Sequence, residues 1–160
     1  MNKHGIITLS TFVGLVASMA LSVWIVERDA RAHCQVPCGI YDDGARISRL
    51  REDAATIAKA IDNINKLVER HDANAFNQAT RWVTTKEEHA SNVITIVAEY
   101  FLTQKVKIKT GGDDGYEEYL KTLADHHAVM VAAMKTKQSS DPATVAALNA
   151  AIDALAHHYR

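Results

Sequence analysis

Seven apolar side chains, Ile47, Leu50, Ala54, Ile57, Ile61, Ile64 and Val68, follow one another at alternating steps of three and four. That spacing lines up one stripe of an α-helix, whereas a half-buried strand would need a period of two. An unbroken stripe of this length must be covered by other helices. Three further segments can supply the cover. Phe76, Ala79, Val83, Ala90, Ile94, Val97 and Phe101 repeat at helical spacing, with Lys86 as a polar interruption. Tyr116, Leu120, Leu123, His127, Met130 and Met134 form a third series, and Val145, Leu148, Ile152, Leu155 and Tyr159 a fourth.

The breaks between these series are equally legible. Asp72-Ala73-Asn74 offers an N-cap for the second helix. Thr110-Gly111-Gly112-Asp113-Asp114-Gly115 is a loop, and Asp141-Pro142 is an N-cap followed by proline at the first helical position. Short connections favour antiparallel neighbours, so the expectation is an all-α, up-down four-helix bundle over residues 42–160. A formal net charge of −1, with 18 Lys+Arg against 19 Asp+Glu, gives none of the basic excess of a nucleic-acid surface.

Residues 1–32 read as a segment that is removed. Lys3 and His4 precede a mostly apolar run from Ile6 to Val26, and Ala30-Arg31-Ala32 has the small-x-small form of a signal-peptidase site. If retained, the same run is long enough to anchor the chain in a bilayer. Cleavage after Ala32 makes His33 the new amino terminus, directly before Cys34. No membrane attachment is then expected.

The chain has only two cysteines, Cys34 and Cys38, separated by three residues. By themselves they make a small-loop disulfide or two metal ligands. A terminus at His33 alters the balance, because five donors then crowd into six residues. These are the α-amine and imidazole of His33, the amide nitrogen and thiolate of Cys34, and the thiolate of Cys38. Amine and amide close one chelate ring, and the Cys34 amide and thiolate close another. Pro37 and Gly39 flank the turn that returns Cys38 to the same plane. Two nitrogens and two sulfurs in a plane, with an imidazole above, suit nickel(II) or copper(II) better than zinc. Anionic amide and thiolate donors also favour nickel(III). Residues 33–41 are therefore expected to form a metal-binding hook ahead of the bundle.

His33-Cys34-Gln35-Val36-Pro37-Cys38-Gly39-Ile40-Tyr41 resembles the amino terminus of the nickel-containing superoxide dismutases. The resemblance continues through Lys86-Glu87-Glu88, Glu99-Tyr100-Phe101 and Ser140-Asp141-Pro142-Ala143-Thr144. It implies nickel as the cofactor and His33, Cys34 and Cys38 as its ligands. It further implies Pro37 as turn former, Tyr41 lining substrate access, and Tyr100 as a tyrosine behind the site. Superoxide is the implied substrate, disproportionated by nickel(II)/nickel(III) cycling, and a homohexamer of four-helix bundles is the implied assembly. Gln35 stands where some relatives carry an acid. Ser48 and His89 stand where some hold the ligand imidazole with a carboxylate–arginine pair.

A non-catalytic nickel or copper carrier would use the same hook. Cutting at Ala32 points to export, whereas removal of a pro-segment by a dedicated protease would leave the protein in the cytoplasm. The pairs His126-His127 and His157-His158 are expected to be one packed and one solvated histidine each, since adjacent helical residues diverge by about 100°. A ferritin-like di-iron site is excluded, because no Glu is followed three residues later by His. The protein isolated from its native host is expected to begin at His33. Terminal sequencing checks this, and any other start removes the amine from the donor set.

Overall fold

The structure is a computed structural model and describes residues 42–159. The hook residues His33, Cys34, Cys38 and Tyr41 and the segment 1–32 lie outside the described residues. Four helices account for the body: α1 (Asp43–Val68), α2 (Ala73–Thr95), α3 (Tyr116–Gln138) and α4 (Pro142–Ala156). After Thr95, α2 runs on as a π-helical segment, Ile96–Lys105. A single 3₁₀ turn, His157–Tyr159, follows α4.

The helix starts obey the local chemistry of their sequences. Asp42 accepts from the Gly44 N–H, Asp72 from the Ala75 N–H and Asp141 from the Ala143 N–H, each satisfying one otherwise orphaned donor. Gly115 precedes α3 at φ 75°, and a Cβ there would lie 2.8 Å from Lys109 Nζ. The left-handed backbone conformation is what favours glycine there, since the lysine end is flexible enough to move aside.

Each helix packs on its sequence neighbours, and α1 also packs on α4, closing a four-membered ring. Cross-helix contacts give the directions. Arg51 near the start of α1 pairs with Asp153 near the end of α4, at 3.0 Å. Asn65 near the end of α1 donates to the Ser140 carbonyl just before α4. Asp53 meets His89; Lys86 reaches the Thr136 carbonyl near the end of α3 whereas Phe101, farther along, packs on His126 at its middle; and His126 meets Tyr159 beyond α4. All neighbours are thus antiparallel, as an up-down bundle requires.

The α1 stripe is buried as its spacing demands from Ile47 to Ile64, and only Val68 at the end is exposed. The α4 series is buried at Val145, Leu148, Ile152 and Leu155. Two expectations need correction. In α2, Phe76 and Val83 are exposed, at 77% and 41%, while Ala75 and Lys86 are buried. The Asp72 cap sets the helix start so that Ala75 turns inward. The buried residues of α2 up to its middle are consequently only Ala75 and Lys86. In α3 the packed face lies one residue earlier than the apolar series suggests. His126, Val129, Ala133 and Thr136 are buried, whereas His127 is exposed and Met134 is 41% exposed. His126 prevails because its ring finds two hydrogen-bond partners inside, as described below.

Lys86 caps a helix from across the bundle. Its Nζ donates to the carbonyls of Thr136 and Lys137, both at 2.6 Å, and of Ser139 at 3.3 Å. These carbonyls belong to the last turn of α3 and the residue capping it, where the helix dipole is negative. A cation buried against three acceptors holds the end of α3 to the middle of α2. Replacing Lys86 with Met is expected to destabilise the protein by about 2–3 kcal/mol, since the carbonyls then stay buried without a charged donor. A chemical denaturation midpoint measures the loss.

Candidate metal centre and the bundle end that adjoins it

Tyr41 is bonded directly to Asp42, the N-cap of α1, and Cys38 stands only four residues before Asp42. A fully extended chain spans at most about 3.5 Å per residue, so the Cys38 backbone is tethered within roughly 14 Å of Asp42. The amino-terminal end of α1 is therefore the part of the bundle joined directly to the segment that contains Cys38.

Charge is concentrated at that end. Asp43, the first residue of α1, accepts a hydrogen bond from the Tyr100 hydroxyl at 2.5 Å. The same carboxylate oxygen is paired with Lys105 Nζ at 2.9 Å. The Arg46 guanidinium carbon lies 5.3 Å from the centre of the Tyr100 ring, and Lys105 Nζ lies 5.8 Å from it. Both distances are within cation–π range. Burial and the Asp43 carboxylate push the Tyr100 pKa up to about 12.

The π-helical turn explains how Tyr100 reaches this position. The Val106 N–H reaches back five residues to the Phe101 carbonyl, and Thr103 and Gln104 side chains reach back five to Ala98 and Glu99. Such widened turns often occur at functional sites. Here the widening lets two consecutive residues point inward. Tyr100 is 8% exposed and Phe101 fully buried, with their rings edge-on at 5.0 Å. Phe101 in turn packs against Tyr159 at 4.3 Å.

Behind Phe101, His126 is fully buried with both ring nitrogens engaged. Nδ1 is 2.6 Å from the Thr122 carbonyl and must donate to it, which leaves Nε2 to accept from the Tyr159 hydroxyl at 2.6 Å. Burial pushes the imidazole pKa below its usual value, against the opposing pull of the Thr122 carbonyl. Burial also holds the Tyr159 hydroxyl well above the usual tyrosine range. His158 docks beside this pair with Nε2 2.7 Å from Asp125. A cavity of about 560 Å³ opens next to Tyr159, lined in part by Lys105, Lys107, Lys109 and His158.

The two positions at which this chain departs from some relatives have different surroundings. Ser48 turns back to its own helix and donates to the Gly44 carbonyl at 3.0 Å. His89 meets the fully buried Asp53 through Nδ1 at 2.6 Å. The other Asp53 oxygen has no hydrogen bond, and Arg49 Nε stands 3.6 Å from it. His89 therefore takes its carboxylate from position 53 rather than 48. Sequence reading passed over both Asp43 and Asp53. Asp53 sits beside the apolar stripe, four residues after Arg49, and that i,i+4 spacing was the available signal. For Asp43 no sequence signal existed, because Tyr100 and Lys105 lie far along the chain.

Among the described residues, no group of three or more His, Cys, Asp or Glu could hold a metal ion. The donors that suit nickel are those of the segment before Asp42: two cysteines, an imidazole and a potential terminal amine within six residues. That donor set fits a nitrogen- and sulfur-ligated nickel ion. The sequence model of nickel-containing superoxide dismutase matches residues 28–160, which take in the hook and the whole bundle, and the chain belongs to that family. No curated protein and no solved structure was found to match.

The neutral state of His126 has a consequence for stability. Its folded pKa lies below the unfolded value of 6.5, so the unfolded chain binds more protons as pH falls through that value. Stability from this site is complete above about pH 6.5 and declines as pH drops toward the folded pKa, below which the loss levels off. His126→Gln keeps a hydrogen-bonding side chain and removes the titration. Denaturation midpoints taken between pH 8 and pH 5 are expected to fall less in the variant than in the wild type.

Proposed function

We propose that the protein disproportionates superoxide into oxygen and hydrogen peroxide at a nickel ion held by His33, Cys34 and Cys38, cycling between nickel(II) and nickel(III). Family membership over residues 28–160 carries this reading, together with the hook sequence it encloses. Bound nickel would supply the one-electron chemistry, giving up an electron to one superoxide and taking one from the next. The Cys34 and Cys38 thiolates, the Cys34 amide and the His33 amine would hold the nickel. The His33 imidazole would be a further donor that favours the higher oxidation state. Tyr41 would line the approach of superoxide and order the proton-bearing groups near the open face.

The hook is too short to shield a metal by itself. Assembly of several bundles through the ends that bear the hooks, as a homohexamer, would complete the enclosure. Exposure of His33 requires removal of residues 1–32 by a protease, with export to an extracytoplasmic compartment as the favoured outcome and pro-segment removal in the cytoplasm as the alternative. Among the described residues no helix is long and apolar enough to cross a membrane.

Ligand roles separate by measuring nickel content and superoxide decay on the same samples. Cys34→Ser and Cys38→Ser are expected to abolish turnover with the helical signal unchanged. His33→Gln keeps the amine, the amide and both thiolates, so nickel should remain while dismutation falls strongly. Tyr41→Phe should slow turnover with the donor set unaltered. Loss of nickel from His33→Gln, or full activity in it, rules out this role for the imidazole. Nickel binding by the wild type without turnover identifies a carrier instead.

A further inference from the structure

Resting on the superoxide dismutase reading, we propose that Asp43 is a positioning residue for the reaction, acting through Tyr100. Three observations meet at this carboxylate. It begins α1 two residues after Tyr41, so it lies where the bundle joins the hook. It takes the hydroxyl proton of Tyr100 into a 2.5 Å hydrogen bond. It is itself held by Lys105 at 2.9 Å, from the last residue of the π-helical segment that carries Tyr100.

The geometry divides the roles. The Asp43 carboxylate sits at the positive end of the α1 dipole and accepts from the Tyr100 hydroxyl. Tyr100 therefore spends its single proton on Asp43, and its oxygen can offer only lone pairs to any other group. Held this way, Tyr100 is not a proton source for peroxide formation; it is a fixed wall of the site that accepts hydrogen bonds. Its orientation is set from two sides, by Asp43 at the hydroxyl and by the Arg46 and Lys105 cations over the ring. The charged or titratable groups around it are Asp42, Asp43 and Arg46 from α1, Lys105 from the π-helical segment, and Tyr159 from the turn after α4. Of these, Asp43 alone forms a hydrogen bond to the hydroxyl among the described residues. Removing its charge ends the ion pair with Lys105 and leaves only a weaker, neutral acceptor for the Tyr100 proton.

The test uses nickel-loaded full-length protein in four forms: wild type, Asp43→Asn, Tyr100→Phe and the double variant. Each is assayed for nickel content, superoxide decay against pH, and tyrosine ionisation by NMR of 13C-labelled tyrosine. Misplacing a group beside the reacting atoms costs turnover steeply, so Asp43→Asn and Tyr100→Phe are each expected to lose roughly tenfold in rate with nickel retained. The double variant should be no slower than the slower single one, because both changes break one device. The signal absent from Tyr100→Phe should titrate near 12 in the wild type and move toward 10 in Asp43→Asn. Asp43→Glu, which restores the carboxylate, should recover much of the rate. Wild-type rate in Asp43→Asn, or losses that multiply in the double variant, overturns the proposal alone. A nickel-loaded wild type that does not dismute superoxide overturns the function itself, and the role of Asp43 in it.

Discussion

The isoleucine-rich stripe of α1 holds this protein together. Leu50, Ala54, Ile57 and Ile61 are sealed from solvent, and residues of all the other helices meet them in one core. Each fully buried aliphatic side chain of this size contributes about 1.5–3 kcal/mol relative to exposure. The stripe begins at Ile47, within two turns of Asp42. Anchoring α1 therefore anchors Asp42 and Asp43, the start of the bundle.

Polar groups inside the bundle are placed at its joints, and each answers a different need. Lys86 ties the end of α3 to α2 by supplying donors to carbonyls that the helix cannot satisfy. His126 and Tyr159 satisfy one another and fasten the turn after α4 against α3. Asp53 and His89 join α1 to α2, and Asp43 with Tyr100 and Lys105 joins the start of α1 to the π-helical segment. A half-satisfied buried polar group is costly, which makes these contacts specific as well as cohesive. The Asp53 oxygen without a hydrogen bond is the exception among the described side chains, and Arg49 lies close enough to balance its charge.

The cationic groups Arg46 and Lys105 stand over Tyr100 at the same end of the molecule, and further lysines line the cavity beside Tyr159. For an enzyme family whose substrate is a small anion, positive potential near the point of attachment favours encounter. Asp43 tempers that charge locally through its contacts with Lys105 and the Tyr100 hydroxyl.

By itself the sequence determined the helical class, the caps at Asp72 and Asp141-Pro142, the buried series of α1 and α4, and the family, because each is written in local spacing or in one contiguous motif. The split of the pair His126-His127 into one packed and one solvated ring also followed from helical geometry alone. Tertiary structure decided which of the two is inside, since Thr122 and Tyr159 provide acceptor and donor to His126 only. It also decided the face of α2, where the buried lysine outweighs Phe76 because three carbonyls of another helix await it. Asp43 and Asp53 acquire their partners 57 and 36 residues away, after the helices pack antiparallel. No periodicity encodes such pairs; they depend on helix register, which is settled by the packing of the whole core.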